Sequence, residues 1–514
     1  MSKTIIIIGA GLAGLSAALQ AAENGCNVKL VSSLPSERAQ SVMAEGGINA
    51  ALNTKDENDS PEEHFTDTIK AACGLADPNA VWGMTQAAPE LVHWLLKLGV
   101  KFNMSGYDDV DLRNFGGQKK KRTAFAQSDT GKQIMTAMID AVRRKEASGM
   151  VERFSHHSFL TLRLCGNICC GCVIRDEYSQ ETVELPGDAV IVATGGMHGL
   201  FGNTTGSLSN TGEVTAELFR LGVPLANGEM IQYHPTTVKC GGKRMLISEA
   251  ARGEGGRLFA MKDGKQWYFM EEKYPELGNL MPRDITAREI WKVSHESEVF
   301  LDMTEISEEI ISNKLSGLAD DCMTYLHKDI RKEPVSVLPG IHYFMGGILV
   351  DEQHRTPIQN LYAAGECCAQ YHGANRLGGN SLLGALYGGR VAAKSACEQA
   401  DVVDLSCATQ IDFPPTSQIS EIKQLNKVMQ ETMGVVRNEN TLLNGIQTVQ
   451  ALTGNLPLLG MAVLKSALAR KESRGAHWRE DYPKNNDDDY LKTTVARFDG
   501  KQIQISFVPV PERR

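Results

Sequence analysis

Gly9-Ala10-Gly11-Leu12-Ala13-Gly14 follows four consecutive isoleucines and opens an alanine- and leucine-rich stretch, so a G-x-G-x-x-G stands between a strand and a helix. That placement builds a pyrophosphate site. Gly9 permits a tight turn, Gly11 lets the backbone approach the phosphates, and Gly14 lets helix and strand pack closely; the helix N-terminus adds free N–H groups and a favourable dipole. An acid usually ends the second strand to hold a ribose. Here Val31 is followed by Ser32 and Ser33, whose hydroxyls take that role, and this weakens a nicotinamide reading more than a flavin reading. Glu45-Gly46-Gly47, after Gln40-Ser41, allows the close backbone approach an isoalloxazine ring needs. Thr194-Gly195-Gly196 and Gly365-Glu366 each follow a short apolar run. Gly378-Gly379-Asn380-Ser381-Leu382 precedes an apolar helical run, a second helix start whose dipole favours negative charge on a reduced ring.

These segments need a scaffold. Residues 3–8 read as a parallel strand apolar on both faces, 13–24 as a helix ended by Gly25, and 28–31 as the next strand, a βαβ unit. Further strands are expected at 189–193 and 361–364. The fold class expected is α/β: a discontinuous Rossmann-like FAD-binding domain (1–226 and 341–400), an inserted α+β capping domain (227–340), and a C-terminal helical domain with its tail (401–514). A helix-like stretch covers 419–450, a short acidic loop 485–489, and an alternating strand 502–508.

The 514 residues exceed one core, so two or three domains are expected. The formal charge of -9 argues against a nucleic-acid partner. The basic run Lys119-Lys120-Lys121-Arg122 reads as a solvated loop. Twelve cysteines without a secretory signal favour free thiols in a reducing compartment. The uncharged stretch 4–22 has the length of a membrane span, but glycines 9, 11 and 14 after a β-branched run argue against one. Cys165, Cys169, Cys170 and Cys172 fall in a hairpin with Gly166-Asn167 in the turn; Cys170 and Cys172 are expected to share a face. They read as buried thiols, as do Cys367-Cys368, and no metal is assigned.

Several further strings occur in one order: Ser41–Ile48, His234-Pro235-Thr236, Ser248–Gly256, Pro282-Arg283-Asp284, His342–Gly347, His372–Leu382 and Glu472–His477. With them the chain resembles the succinate dehydrogenase/fumarate reductase flavoprotein family from residue 3 to about residue 510. The resemblance implies hydride transfer between FAD and a small dicarboxylate. It sets His342 and Arg376 on one carboxylate and His234, Thr236 and Ser248 near the other. It makes Arg283 the proton donor, with Glu249 and Arg252 as its relay. It also implies that Gly9, Ala10, Gly11, Ala13, Gly14, Ser32, Ser33, Gln40, Ser41, Glu45, Gly46, Gly47, Thr194, Gly195, Glu366, Asn380, Ser381 and Leu382 contact the cofactor. Respiratory members carry a flavin-linked histidine where Gln40 stands, so non-covalent FAD is expected here. The family's tether raises the flavin potential, and about 30 mV of a two-electron couple is worth ~1.4 kcal/mol. Its loss tilts the expectation towards fumarate reduction.

Singly, each residue also has a structural use: His234 in a turn, Glu249 and Arg252 as a helical ion pair, Arg283-Asp284 at a helix start. Their company with the flavin motifs favours chemistry. No haem motif or second flavin domain is visible, so electrons are expected from an iron–sulfur subunit or another donor protein. A cytoplasmic location is expected, with membrane association only through partners. The alternatives are L-aspartate oxidase, a relative that also holds FAD non-covalently, and a flavin-bound redox sensor or assembly subunit without turnover.

Overall fold

A computed structural model describes residues 2–107, 109–400, 413 and 418–514. The start of the expected third segment, 401–412 and 414–417, lies outside these residues. Four buried isoleucines, Ile5 to Ile8, form β1 (Thr4–Ile8) at the centre of a five-stranded parallel sheet. β2 (Asn27–Ser32) and β3 (Val151–Ser155) lie on one side of it, β4 (Ala189–Val192) and β5 (Leu361–Ala363) on the other. The spatial order β5-β4-β1-β2-β3 is that of a dinucleotide-binding half-sheet, with its crevice between the carboxyl ends of β1 and β4. Helix α1 (Leu12–Glu23) starts there. Gly9 has φ +109, and a Cβ on it would meet the Ala193 carbonyl oxygen at 2.3 Å; one on Gly14 would meet the Gly9 carbonyl oxygen at 1.9 Å. Only glycine fits either position. A Cβ on Gly11 would meet nothing nearer than Ser41 Oγ at 3.6 Å, so that backbone faces open space.

Between β4 and β5 the chain builds a four-stranded antiparallel sheet from Arg257–Lys262, Lys265–Trp267, Val299–Asp302 and Val335–Ser336. It has its own apolar core, running from Ile247 to Val337 and joined by Phe115. This inserted region carries α2 (Glu249–Gly253) and α3 (Arg283–Val293). The second crevice helix, α4 (Asn380–Gln399), runs back along α1. The helices after residue 418 share a core with Met197, Phe201, Phe219 and Ile231. The hairpin Lys492–Phe498 and Ile503–Pro509 completes a mixed sheet with Leu225–Ala226 and Gly347–Leu349. Among the described residues no helix is long and apolar enough to cross a membrane, and no group of acids, histidines and cysteines is placed to hold a metal ion.

Five expectations about the fold need correction. The stretch 419–450 is two helices, Ile419–Thr432 and Glu439–Val449; between them Arg437 is buried and Asn438 caps the second, accepting from Thr441 N at 2.9 Å. Arg122 is not solvated: it is fully buried, with Asp59 and Asp67 each at 2.9 Å. The acidic segment near 485 holds a helical turn, Asp487–Tyr490, capped by Asn486. In the cysteine hairpin the register shifts at Leu164 and Gly171 takes φ +139. That bulge puts Cys169, not Cys170, in the same core as Cys172. Cys169, Cys170 and Cys172 are buried free thiols, whereas Cys165 is disulfide-bonded, against the expectation of free thiols throughout.

The C-terminal segment is tied in by charge. Arg470, wholly buried, binds Glu229 at 2.7 Å and Glu472 at 2.8 Å, and Arg474 also meets Glu472 at 2.8 Å. Removing one partner of such a cluster strands a buried charge. Arg470→Met is therefore expected to destabilise the chain by ~3–5 kcal/mol, read as a lower denaturant midpoint.

Candidate active site

A continuous cavity of about 1000 Å³ runs from the α1 N-terminus, past residues 40–47 and the α4 N-terminus, to the inserted region. Its first half is lined by Gly9, Ala10, Gly11, Ala13, Ser32, Ser33, Gln40, Ser41, Glu45, Gly46, Gly47, Thr194, Gly195, Glu366, Ser381 and Leu382. Gly14 sits behind them, where its role is packing. The donors here fit a dinucleotide. Ser32 Oγ is buried with no hydrogen-bond partner. The Leu12 N–H donates to Ser41 Oγ at 3.2 Å, and Glu366, which lines the cavity, accepts the Phe344 N–H at 3.0 Å. Asn380 departs from expectation. Its side chain is not at the cavity wall but bonds Asn49 at 2.7 Å, His64 at 2.9 Å and Thr68 at 3.0 Å.

The far half gathers His234, Ser248, Glu249, Arg283, His342 and Arg376 from five separate segments. Ser248 caps α2, accepting the Ala250 N–H. Glu249 and Arg252 lie one turn apart on α2, and Arg283 is the first residue of α3. Arg283 Nε and Nη2 donate to Glu249 Oε2 at 2.8 and 2.6 Å; Arg252 Nη2 donates to Glu249 Oε1 at 3.2 Å, and so does the Gly116 N–H at 3.1 Å. Burial alone would raise Glu249, but Arg283 and Arg252 outweigh it and hold the carboxyl below its ordinary range. The carboxylate is thus ionised between two guanidiniums. Arg252 does not reach the cavity; its Nη1 donates to the Asn279 carbonyl at 2.6 Å.

Arg376 has no such partner. Its guanidinium stacks over the Tyr343 ring at 4.3 Å, and its Nε bonds to nothing. Burial, then Arg283, lowers it to about 9, a cost an incoming carboxylate would offset. Burial and Arg283 likewise push His234 and His342 well below the ordinary histidine value, so both are neutral. Thr236 is off the cavity: its hydroxyl donates to the Ile247 carbonyl at 2.8 Å, and its backbone holds His234 Nδ1.

Two residues escaped the sequence reading. Thr205 Oγ1 bonds His342 Nδ1 at 2.8 Å. Gln232, fully buried, accepts from Arg283 Nη1 at 3.1 Å and donates to the Arg376 carbonyl at 2.9 Å. Strand alternation back from His234 on Ile231–Cys240 would have reached Gln232; nothing local marks Thr205.

A dinucleotide crevice continuous with a buried, cation-rich pocket defines an FAD-dependent oxidoreductase. Residues 4–382 match the FAD binding domain family, and residues 452–513 match the family described as fumarate reductase flavoprotein C-term. The chain belongs to the succinate dehydrogenase/fumarate reductase flavoprotein family. It is 38% identical to the succinate dehydrogenase flavoprotein subunit of Bacillus subtilis, covering 100% of this chain and 98% of that one. It is 32% identical to the 8-methylmenaquinol:fumarate reductase flavoprotein subunit of Wolinella succinogenes, over 100% and 92% of the two chains. The E. coli quinol fumarate reductase structure superposes with a TM-score of 0.90 at 27% identity, over 99% of this chain and 97% of that one.

Glu45 carries a pH signature. Burial, then Asp321, raises it to about 8, and its Oε2 has no partner. Because the folded state then holds a proton the unfolded state releases, stability falls as pH rises from the unfolded value near 4.5 through about 8. Glu45→Gln is expected to flatten that fall, worth a few kcal/mol, in denaturant midpoints measured from pH 5 to 9.

Proposed function

We propose that the chain reduces fumarate to succinate. The observation that carries this reading is the hydrogen-bonded series Arg283–Glu249–Arg252 opening onto the cavity beside Arg376, which forms no ion pair among the described residues. When bound, FAD supplies the hydride. Arg376 and His342 receive one carboxylate, the guanidinium matching it in a bidentate fork. His234 and Ser248 lie towards the other, with Thr236 acting on His234 from behind. Arg283 gives a proton to the carbon facing away from the flavin. An arginine suits this task because the developing carbanion is a far stronger base than water, and because a closed, dry site presses cations together. Glu249, ionised at rest, then takes a proton from Arg252 and passes it to Arg283, and Arg252 regains one from solvent. The inserted region bears Arg283 and closes over the cofactor as a capping domain.

Gln40 lines the cavity where a covalent histidine is expected in tethered relatives, and an amide forms no such bond, so FAD is held without a covalent link. The relatives named above are called subunits. That supports an electron-donating partner, an iron–sulfur protein, at the cytoplasmic face of a membrane. The L-aspartate oxidase reading has no observation in its favour here.

The test uses the flavin-loaded chain under anaerobic conditions with a reduced viologen dye. Fumarate is expected to oxidise the dye rapidly, and Arg283→Ala to lower kcat at least ~1000-fold, the loss of a proton donor and a fixed cation together. Reduction of the flavin by aspartate without any response to fumarate would overturn the proposal.

A further inference from the structure

Behind the cavity lies a polar group that the hydride and proton steps do not use. Asn49 ends the two-residue strand Ile48–Asn49, directly after Gly46-Gly47, and is fully buried. Its Nδ2 donates to the Gly378 carbonyl at 2.7 Å and to Asn380 Oδ1 at 2.7 Å. Its Oδ1 accepts from Gln118 Nε2 at 3.0 Å and from Thr123 Oγ1 at 2.6 Å. The backbone adds a bond from Asn49 N to the Gly379 carbonyl at 3.1 Å. Two donor protons and two lone-pair directions are all that an amide side chain offers, so this one is saturated.

The four partners belong to different working parts. Gly378 and Asn380 flank Gly379, which has φ +84 and caps α4. The same turn begins with Arg376. A Cβ on Gly378 would sit 2.9 Å from Glu249 Oε2 and 3.0 Å from Phe115, so its backbone abuts the relay carboxylate. Gln118 and Thr123 come from the loop that begins at Phe115 and sends the Gly116 N–H to Glu249. Gln118 Nε2 also reaches the Gly378 carbonyl, at 2.9 Å. Asn380 is fixed from its other side by neutral His64 and by Thr68.

We infer that Asn49 is a positioning residue that sets the 376–380 turn against both the flavin and the relay. One buried amide ties the flavin-approach segment to the loop over Glu249 and to the turn that holds Arg376 and aims the α4 N-terminus. A saturated network in a low-dielectric interior specifies one geometry, because each bond lost leaves a buried group unpaired. The consequence is double. The aim of Arg376 fixes dicarboxylate affinity, and the aim of the α4 dipole fixes how well negative charge on the reduced ring is tolerated.

This inference rests on the dicarboxylate reading above, and its test separates the two. The flavin-loaded chain carrying Asn49→Ala is titrated with malonate, a dicarboxylate that cannot react, while the flavin absorbance is followed; the flavin midpoint potential is measured in the same sample. Malonate binding is expected to weaken about tenfold. The potential is expected to fall by about 30 mV, the equivalent of tenfold for a two-electron couple. Thr123→Ser, which keeps the hydroxyl, is expected to match the unmodified chain in both. Should Asn49→Ala fail to fold, Gln118→Leu removes one arm of the network and is expected to shift both readouts in the same sense. A lowered melting temperature with both readouts unchanged would reduce Asn49 to a purely structural role and overturn the inference. If the unmodified chain ignores malonate, the substrate reading fails, and the potential alone still decides the role of Asn49.

Discussion

Three buried charges can remain ionised here only as a group. Glu249 is deprotonated because Arg283 and Arg252 stand against it, and both guanidiniums tolerate burial because Glu249 lies between them. Either charge alone in that interior would carry a desolvation penalty of several kcal/mol. The rest of the inserted region follows from this constraint. A five-residue helix sets Glu249 and Arg252 one turn apart, a second helix must begin at Arg283, and the Phe115 loop must deliver the Gly116 N–H. The four-stranded sheet and its separate core hold those pieces in register.

The cavity is recognisable by what the fold leaves undone. Two buried arginines away from it are paired with acids: Arg122 with two aspartates, Arg470 with two glutamates. Along the crevice Ser32 Oγ, one oxygen of Glu45 and Arg376 Nε lack hydrogen-bond partners, and all three residues line the same cavity. Buried polar groups are ordinarily satisfied, so unpaired atoms gathered on one cavity wall suit a polar ligand there.

Much of this was legible before any coordinates. The isoleucine run, the three glycines and the two later apolar runs identify β1, α1, β4 and β5, because a parallel strand buried on both faces needs no alternation. The candidate cluster was legible through motifs rather than periodicity, since its members are spread from His234 to Arg376. What stayed hidden depends on partners distant in sequence. Arg122 looks like one more surface cation until Asp59 and Asp67 surround it. The faces of the cysteine strand depend on a bulge at Gly171 that alternation cannot foresee. The resemblance puts Asn380 on the flavin, yet its amide turns to Asn49 and His64. Asn49 lies between Ile48 and Ala50, which announce no hub.

The order of strands in the central sheet also has a bearing on how the chain is made. β4 and β5 are neighbours in space, but the whole inserted region is synthesised between them. The strands Leu225–Ala226 and Lys492–Phe498 pair although one leaves the ribosome near the middle of translation and the other almost at its end. A growing chain therefore presents an unfinished crevice, with the edge of β4 uncovered until residue 361 has emerged. A complete crevice consequently requires that β5 and the α4 start at Asn380 have emerged, most of the way through synthesis.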